Sequence, residues 1–442
     1  MILNRYFYQF LLKWKKNPQR KPLLLQGARQ TGKTFLLKYF AEKEFSDFVY
    51  INFEEEQEFA ESLKNTANPK TILEYLGLYK NRSIDIRKTL IIFDEAQNCP
   101  QVVTSLKYFY ENYPEGYIVA TGSLLGISLT DNKSGSFPVG TVDIQHLYPL
   151  TFFEFLDALN ETSLLQHLIS KRDFSPLPDI FHNKLIKLLK LYFLIGGMPE
   201  AVKTYLETKG DWQAVRKIQK DILSAYLIDS VRYADKTESV KIRQIWDNIP
   251  QQISGENKRF KLSAIKKNAS LREYRTALNW LISAGLLYKV EKNKRIALPL
   301  SAYKDEHLFK IFFLDIGLLS ALLNLSPQTL LNGNSLFLQF KGWFTENYIA
   351  QELQSRFKTE LYYWANHTSE IDFILSYNDN IIPIEIKSGF NTKAKSLRVY
   401  IEKNTPQYAI RSSLRNFHVH NNLYDIPLYA ISRFPELIFR KN

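Results

Sequence analysis

A strand-length apolar run, Pro22-Leu23-Leu24-Leu25-Gln26, opens directly into Gly27-Ala28-Arg29-Gln30-Thr31-Gly32-Lys33-Thr34, and the helical stretch Phe35-Leu36-Leu37-Lys38-Tyr39-Phe40 follows. The spacing G-x-x-x-x-G-K-[ST] between a strand and a helix is that of a phosphate-binding loop. Its backbone N–H groups and those of the helix it opens converge on β- and γ-phosphates. Lys33 adds a cation and Thr34 a hydroxyl ligand for Mg²⁺. The segment therefore implies an α/β layered sheet and, as ligands, ATP or GTP with Mg²⁺.

A second segment, Thr89-Leu90-Ile91-Ile92-Phe93-Asp94-Glu95, reads as a fully buried strand ending in two adjacent acids. Asp94 is placed to hold the Mg²⁺ shell, as a Walker-B carboxylate does. Glu95 is placed to accept a proton from an attacking water or to orient it. Phe48–Phe53 and Tyr117–Ala120 read as further strands, and the Ser123 hydroxyl just past the latter is a candidate γ-phosphate sensor. The alternation of strand and helix to about residue 156 predicts a three-layer parallel sheet.

These motifs do not stand alone. With Asp94-Glu95-Ala96-Gln97, Ala120-Thr121-Gly122-Ser123, Tyr148-Pro149-Leu150-Thr151-Phe152, Gly196-Gly197-Met198-Pro199-Glu200, Phe312–Leu319, Glu370–Phe373 and Glu385–Lys387, the chain resembles the prokaryotic AAA-type ATPases that carry a nuclease-like C-terminal domain of unknown function. The resemblance spans nearly the whole chain in the family's order. It implies a P-loop ATPase core followed by a restriction-endonuclease-like domain. Where many members have a basic residue after a glycine ahead of the Tyr-Pro-Leu segment, this chain has Gly140-Thr141.

The 442 residues exceed a usual single domain. Four parts are expected: residues 1–156, an N-terminal helix and the ATPase core; 157–235, a helical extension or lid; 236–300, a winged helix; and 301–442, the nuclease-like domain. Tyr6, Phe7, Phe10, Leu11 and Trp14 have the spacing of one helical face that packs on the core. Lys and Arg number 58 against 45 Asp and Glu, a net +13 that points to a polyanionic partner. Cys99 is the one cysteine, which excludes an internal disulfide and fits a reducing cytoplasm. No stretch has the apolar length of a membrane span or the layout of a secretory signal.

Between Glu256 and Arg295 stand 11 basic residues and three acids. Ser263 is a candidate cap for a short helix, Asn268-Ala269-Ser270 a turn, and Tyr274, Ala277, Leu278 and Leu281 the buried face of a second helix ending at Gly285. Leu286–Val290 and Ile296–Leu300 are expected to form a hairpin. This is a winged-helix plan, with Lys266, Lys267, Arg272 and Arg275 available to DNA phosphates.

Near the C-terminus, Glu370–Leu375 and Ile381–Lys387 read as strands joined by a turn at Tyr377–Asn380. Asp372, Glu385 and Lys387 take the form D-x(12)-E-x-K, and Glu346 lies on an upstream helix. The set resembles a PD-(D/E)xK core, in which carboxylates hold a metal that activates water and stabilises a phosphodiester's developing charge. The expected metal ligands are thus Thr34 and Asp94 at one site and Glu346, Asp372 and Glu385 at the other. The expected catalytic groups are Glu95 and Ser123 for the nucleotide, and Asp372, Glu385 and Lys387 for nucleic acid. Lys393, Lys395 and Arg398 are candidates for backbone contact. Two functions fit: a DNA-associated ATPase with a nuclease-like domain, or an ATP-dependent conformational switch that recruits DNA or a protein partner without cutting. Either is compatible with an oligomer.

Overall fold

The computed structural model describes residues 1–123, 140–254, 259–327, 335–366, 368–389 and 395–439. The chain divides into two compact units, one of residues 2–148 with 283–285, the other of residues 149–282 and 286–442 with Met1. The division falls ahead of the expected boundary at 156, and the expected boundaries at 235 and 300 lie inside the second unit. Glu256, Lys258 and Lys393 lie outside the described residues.

In the first unit β1 (Leu23–Gln26), β2 (Asp47–Asn52), β3 (Thr89–Asp94), β4 (Tyr117–Gly122) and β5 (Asp143–His146) form a sheet in the order β2-β3-β4-β1-β5. Every pairing is parallel. Alternation along the strands divides the core between the two faces. Leu23, Leu25, Leu90, Ile92 and Val119 pack with the helices Phe7–Lys16 and Lys33–Glu44. Leu24, Ile51, Ile91, Phe93 and Ile118 pack with the helices Pro69–Tyr79 and Pro100–Asn112. The leading helix buries Phe7, Leu11 and Trp14, each worth about 2 kcal/mol of apolar burial, whereas Tyr6 stays exposed.

The second unit begins with five helices, Phe152–Ala158, Thr162–Ser170, Asp179–Ile195, Pro199–Glu207 and Trp212–Tyr233. A helix over Lys236–Ser254, a 3₁₀ turn over Leu262–Ala264 and a helix over Leu271–Ser283 follow. Ser263 lies inside the 3₁₀ turn, with Lys261 at its start, so it is no cap. The helix Leu271–Ser283 buries Tyr274, Ala277, Leu278 and Leu281, and the chain turns at Gly285 with φ 73°.

The unit's sheet holds eight strands: β6 (Leu287–Asn293), β7 (Lys304–Phe313), β8 (Tyr362–Ala365), β9 (Glu370–Tyr377), β10 (Asn380–Ile386), β11 (Ala409–Ser413), β12 (His418–His420) and β13 (Leu423–Pro427). Their order is β12-β13-β11-β10-β9-β8-β6-β7. The hairpin expected over 286–290 and 296–300 is corrected: β6 runs on to Asn293 and its partner starts only at Lys304. Residues 296–300 instead pass through the cis Leu298–Pro299 bond, and a proline contributes no N–H to a ladder. β6 also pairs with β8, which makes the hairpin part of the C-terminal sheet. The turn between β9 and β10 places Asn378 and Asp379 at φ 47° and 57°, the two left-handed residues of a tight hairpin.

Candidate functional site

At Gly27 (φ 149°) the chain leaves β1, and a Cβ there would overlap the Leu147 carbonyl oxygen, so no larger residue fits. Thr31 Oγ1 donates to the Ala28 carbonyl at 2.9 Å and locks the loop from within. Lys33 Nζ, 6% exposed, reaches the Gly27 and Ala28 carbonyls at 2.8 and 3.0 Å. Burial lowers its pKa to about 8, against the opposing pull of the Glu95 and Asp94 charges. The helix from Lys33 starts here, leaving its first N–H groups free of helical acceptors.

The parallel register β3-β4-β1 sets the end of β3 near the loop. Thr34 Oγ1 donates to Asp94 Oδ2 at 2.6 Å, and the Tyr50 hydroxyl donates to the same oxygen at 2.9 Å. Asp94 is 2% exposed. Glu95 takes a left-handed conformation, φ 49°, that turns the chain sharply off the strand. Its Oε2 accepts from Gln97 Nε2 at 2.5 Å and from Ser123 Oγ at 3.5 Å. Of the expected residues, Lys33, Thr34, Asp94, Glu95 and Ser123 are thus brought together. Gly27, Ala28, Arg29, Gln30, Thr31 and Gly32 form the loop beside them, where Arg29 pairs with Glu54 at 3.6 Å. Tyr50 was not foreseen: on β2 it reads as an ordinary strand aromatic.

In the second unit the antiparallel β9-β10 pair sets Ile384 opposite Phe373, and one step further Glu385 beside Asp372. Asp372 Oδ2 accepts the Ile386 N–H at 2.8 Å. Lys387 Nζ donates to Glu385 Oε1 at 2.7 Å, while Glu385 Oε2 is buried with no hydrogen-bond partner. Burial, reinforced by the Asp372 charge, holds the Glu385 carboxyl well above the usual carboxylate range. Glu346, 3% exposed, stands 3.8 Å from Lys310 Nζ, which also pairs with Glu370 at 2.6 Å. Lys310 was missed, although a lone lysine in Leu308–Phe313 signals a charge forced into a core. Among the described residues no group of three or more His, Cys, Asp and Glu side chains is disposed to hold a metal ion. Asp372 and Glu385 stand as an adjacent pair of carboxylates, a number by which Mg²⁺ is commonly held, while Glu346 faces Lys310.

The remaining resemblance motifs meet in one buried network. Leu150 N–H donates to the Gly197 carbonyl at 2.7 Å, and a Cβ on Gly197 would overlap the Leu150 backbone. Gly197 N–H donates to Asp315 Oδ2 at 2.7 Å and Leu318 N–H to Asp315 Oδ1 at 2.9 Å. Gln351 accepts the Ile316 N–H at 3.0 Å and donates to the Tyr192 hydroxyl at 2.7 Å. Glu352 Oε1 accepts the Phe152 N–H at 2.9 Å. Burial raises Asp315 to about 6 and Glu352 to about 8.

Among the described residues no helix is long and apolar enough to cross a membrane. Residues 19–156 match the AAA domain family, residues 186–329 a domain of unknown function (DUF8612) and residues 341–431 a domain of unknown function (DUF4143). No curated protein matches the chain significantly. Among solved structures, the ORC1 protein of Aeropyrum pernix in complex with DNA is 14% identical, covering 72% of this chain and 90% of that one at a TM-score of 0.30. AMPPCP-bound DnaA from Aquifex aeolicus is 15% identical, with 64% and 87% covered and a TM-score of 0.30. Cdc6p from Pyrobaculum aerophilum is 14% identical, with 73% and 95% covered and a TM-score of 0.25. At such TM-scores these likenesses carry no weight for activity. The family match and the loop geometry together make residues 19–156 an AAA-type P-loop domain.

Proposed function

We propose that the chain is a DNA-associated ATPase whose AAA domain binds and hydrolyses Mg-ATP and whose C-terminal sheet is a nuclease-like domain. The observation that carries the reading is the 2.6 Å contact between Thr34 Oγ1 and Asp94 Oδ2, which joins the phosphate loop to the acid ending β3. A hydroxyl and a carboxylate side by side are the hard oxygen donors that Mg²⁺ takes. Thr34 and Asp94 would hold the ion, which would neutralise charge on the phosphates. Glu95 accepts a proton from water, and Ser123, within reach of its carboxylate, holds it in line. Calorimetry with Mg-ATP and phosphate release by wild type and Glu95→Gln test this: the variant binds but releases phosphate at least 100-fold more slowly. Equal release by both sinks the assignment of Glu95.

For the second unit, the helix Leu271–Ser283 with the β6-β7 hairpin serves as the winged helix, and its exposed Lys266, Lys267, Arg272 and Arg275 meet DNA phosphates. Asp372, Glu385 and Lys387 form the cleaving edge. The buried, unsatisfied Glu385 Oε2 is an atom that a divalent cation would satisfy, and the ion would supply Lewis-acid help at the phosphodiester. Nicking of plasmid DNA in Mg²⁺ or Mn²⁺ that Lys387→Ala abolishes is the expected result; nicking that persists in Lys387→Ala rejects the site.

One observation favours the second reading, a switch that binds without cutting. Lys387 is paired to Glu385 and Asp372 is tied to the Ile386 N–H, so these groups are engaged with one another. Retention of DNA without nicking in any metal selects it.

A further inference from the structure

Cross-strand register in the C-terminal sheet aligns Glu385 with Arg411, Arg411 with Asp425, and Asp425 with His418. Residues aligned across strands project from one face. A continuous ionisable row therefore leads from the carboxylate pair to the sheet's edge at β12. It ends in a cavity of about 700 Å³ whose lining includes Phe174, Arg411, Arg415, Phe417, His418 and Asp425.

The cavity is built rather than incidental. Arg411 grips Asp425 with two bonds, Nε to Oδ1 at 2.6 Å and Nη2 to Oδ2 at 2.8 Å. That fixed fork cancels the Asp425 charge and sets the floor. Asn416 holds the opposite wall by accepting from Leu177 N at 2.9 Å and donating to Leu177 O at 2.7 Å, which anchors the segment carrying Phe174. Above this floor Arg415 and His418 are exposed and Phe174 half-buried. An aromatic face beside the Arg415 guanidinium and the His418 imidazole, which stands 3.7 Å from the already paired Asp425, is the chemistry that stacks a base and holds a phosphate.

We propose that this cavity is a subsite for a single strand of nucleic acid, with a base against Phe174 and a phosphate between Arg415 and His418. The inference rests on the nuclease-like reading of the sheet. Three strand spacings separate β10 from β12, roughly 14 Å, the rise of about four nucleotides of a B-form strand at 3.4 Å each. The subsite thus grips a strand a few nucleotides from the cleaving edge.

The test uses the full chain, EDTA and fluorescence anisotropy with labelled dT16. Arg415→Glu, a surface change, lowers affinity at least tenfold with Mg-ATP binding and melting temperature unchanged, and Phe174→Ala, which also removes a ring contact with Tyr424, lowers it at least fivefold with Mg-ATP binding unchanged. Equal dT16 binding by wild type and Arg415→Glu overturns the subsite. So does tighter wild-type binding of polyglutamate than of dT16, which would assign the cavity to an acidic peptide. Lys387→Ala separates the two ideas. If Arg415→Glu loses dT16 while Lys387→Ala still nicks, the subsite stands and the cleavage assignment falls; if Lys387→Ala stops nicking while Arg415→Glu binds normally, the subsite alone falls.

Discussion

The Asp315 carboxylate receives the Gly197 N–H on one oxygen and the Leu318 N–H on the other, 118 residues apart in the first case and three in the second. Both oxygens are acceptors in a fully buried setting, so the side chain is chosen for two lone-pair edges and for its charge only secondarily. Asp315→Asn presents an NH₂ to one of the two donors and leaves it unsatisfied. The expected cost is about 2 kcal/mol, and about 3 for Asp315→Ala, read as the denaturant midpoint. A midpoint for Asp315→Asn equal to wild type contradicts this role.

Glu352 gives a pH dependence whose sign follows from burial. Its folded pKa is raised to about 8, above the unfolded value, so the folded state binds the proton more tightly. Its contribution is fully present below the unfolded pKa and is lost as pH rises towards 8. Glu352→Gln keeps the acceptor for the Phe152 N–H and cannot ionise. Relative to wild type, the variant melts several degrees higher at pH 8.5 and within a degree or two at pH 4.5. A difference independent of pH refutes the assignment.

How much of this was legible in the sequence depends on the range of the interaction. The phosphate loop, the leading helix and the β9-β10 hairpin are set by neighbours within about a dozen residues, and the strands and helix stand where the pattern puts them. The β6-β7 hairpin was misplaced because the apolar run after Arg295 imitates a strand, while the true partner begins beyond a proline bond. The Tyr50 contact to Asp94 depends on β2-β3 adjacency, which periodicity cannot supply. Likewise the meeting of Leu150, Gly197, Asp315 and Glu352 involves segments up to 200 residues apart, so the sequence showed the motifs without showing their common purpose.

Tyr50 offers a check on that missed contact. Its hydroxyl shares Asp94 Oδ2 with Thr34, so Tyr50→Phe leaves the carboxylate with one fewer donor. Mg-ATP affinity is expected to fall about three- to tenfold by calorimetry, whereas Thr34→Ala costs at least 100-fold. Comparable losses in the two variants would show that the tyrosine is itself essential to ion capture.

In the basic segment, charge reversal of Lys266 and Lys267 ahead of the helix Leu271–Ser283 and of Arg272 and Arg275 on it removes exposed cations without touching the buried face. DNA retention is expected to weaken at low salt, and the slope of log affinity against log salt to flatten by about three to four. Lys266 already pairs with Glu273 at 3.3 Å, so its share is the smallest. An unchanged slope places the DNA contact elsewhere.

Because β6 follows the helix Leu271–Ser283 after only a short turn and hydrogen-bonds on both sides, to β7 and to β8, that helix runs directly into the sheet whose strands carry Asp372 and Glu385. Under the proposed function, a displacement of that helix on a duplex would be passed straight into the sheet, so that engagement and alignment of the proposed cutting groups would be one mechanical event.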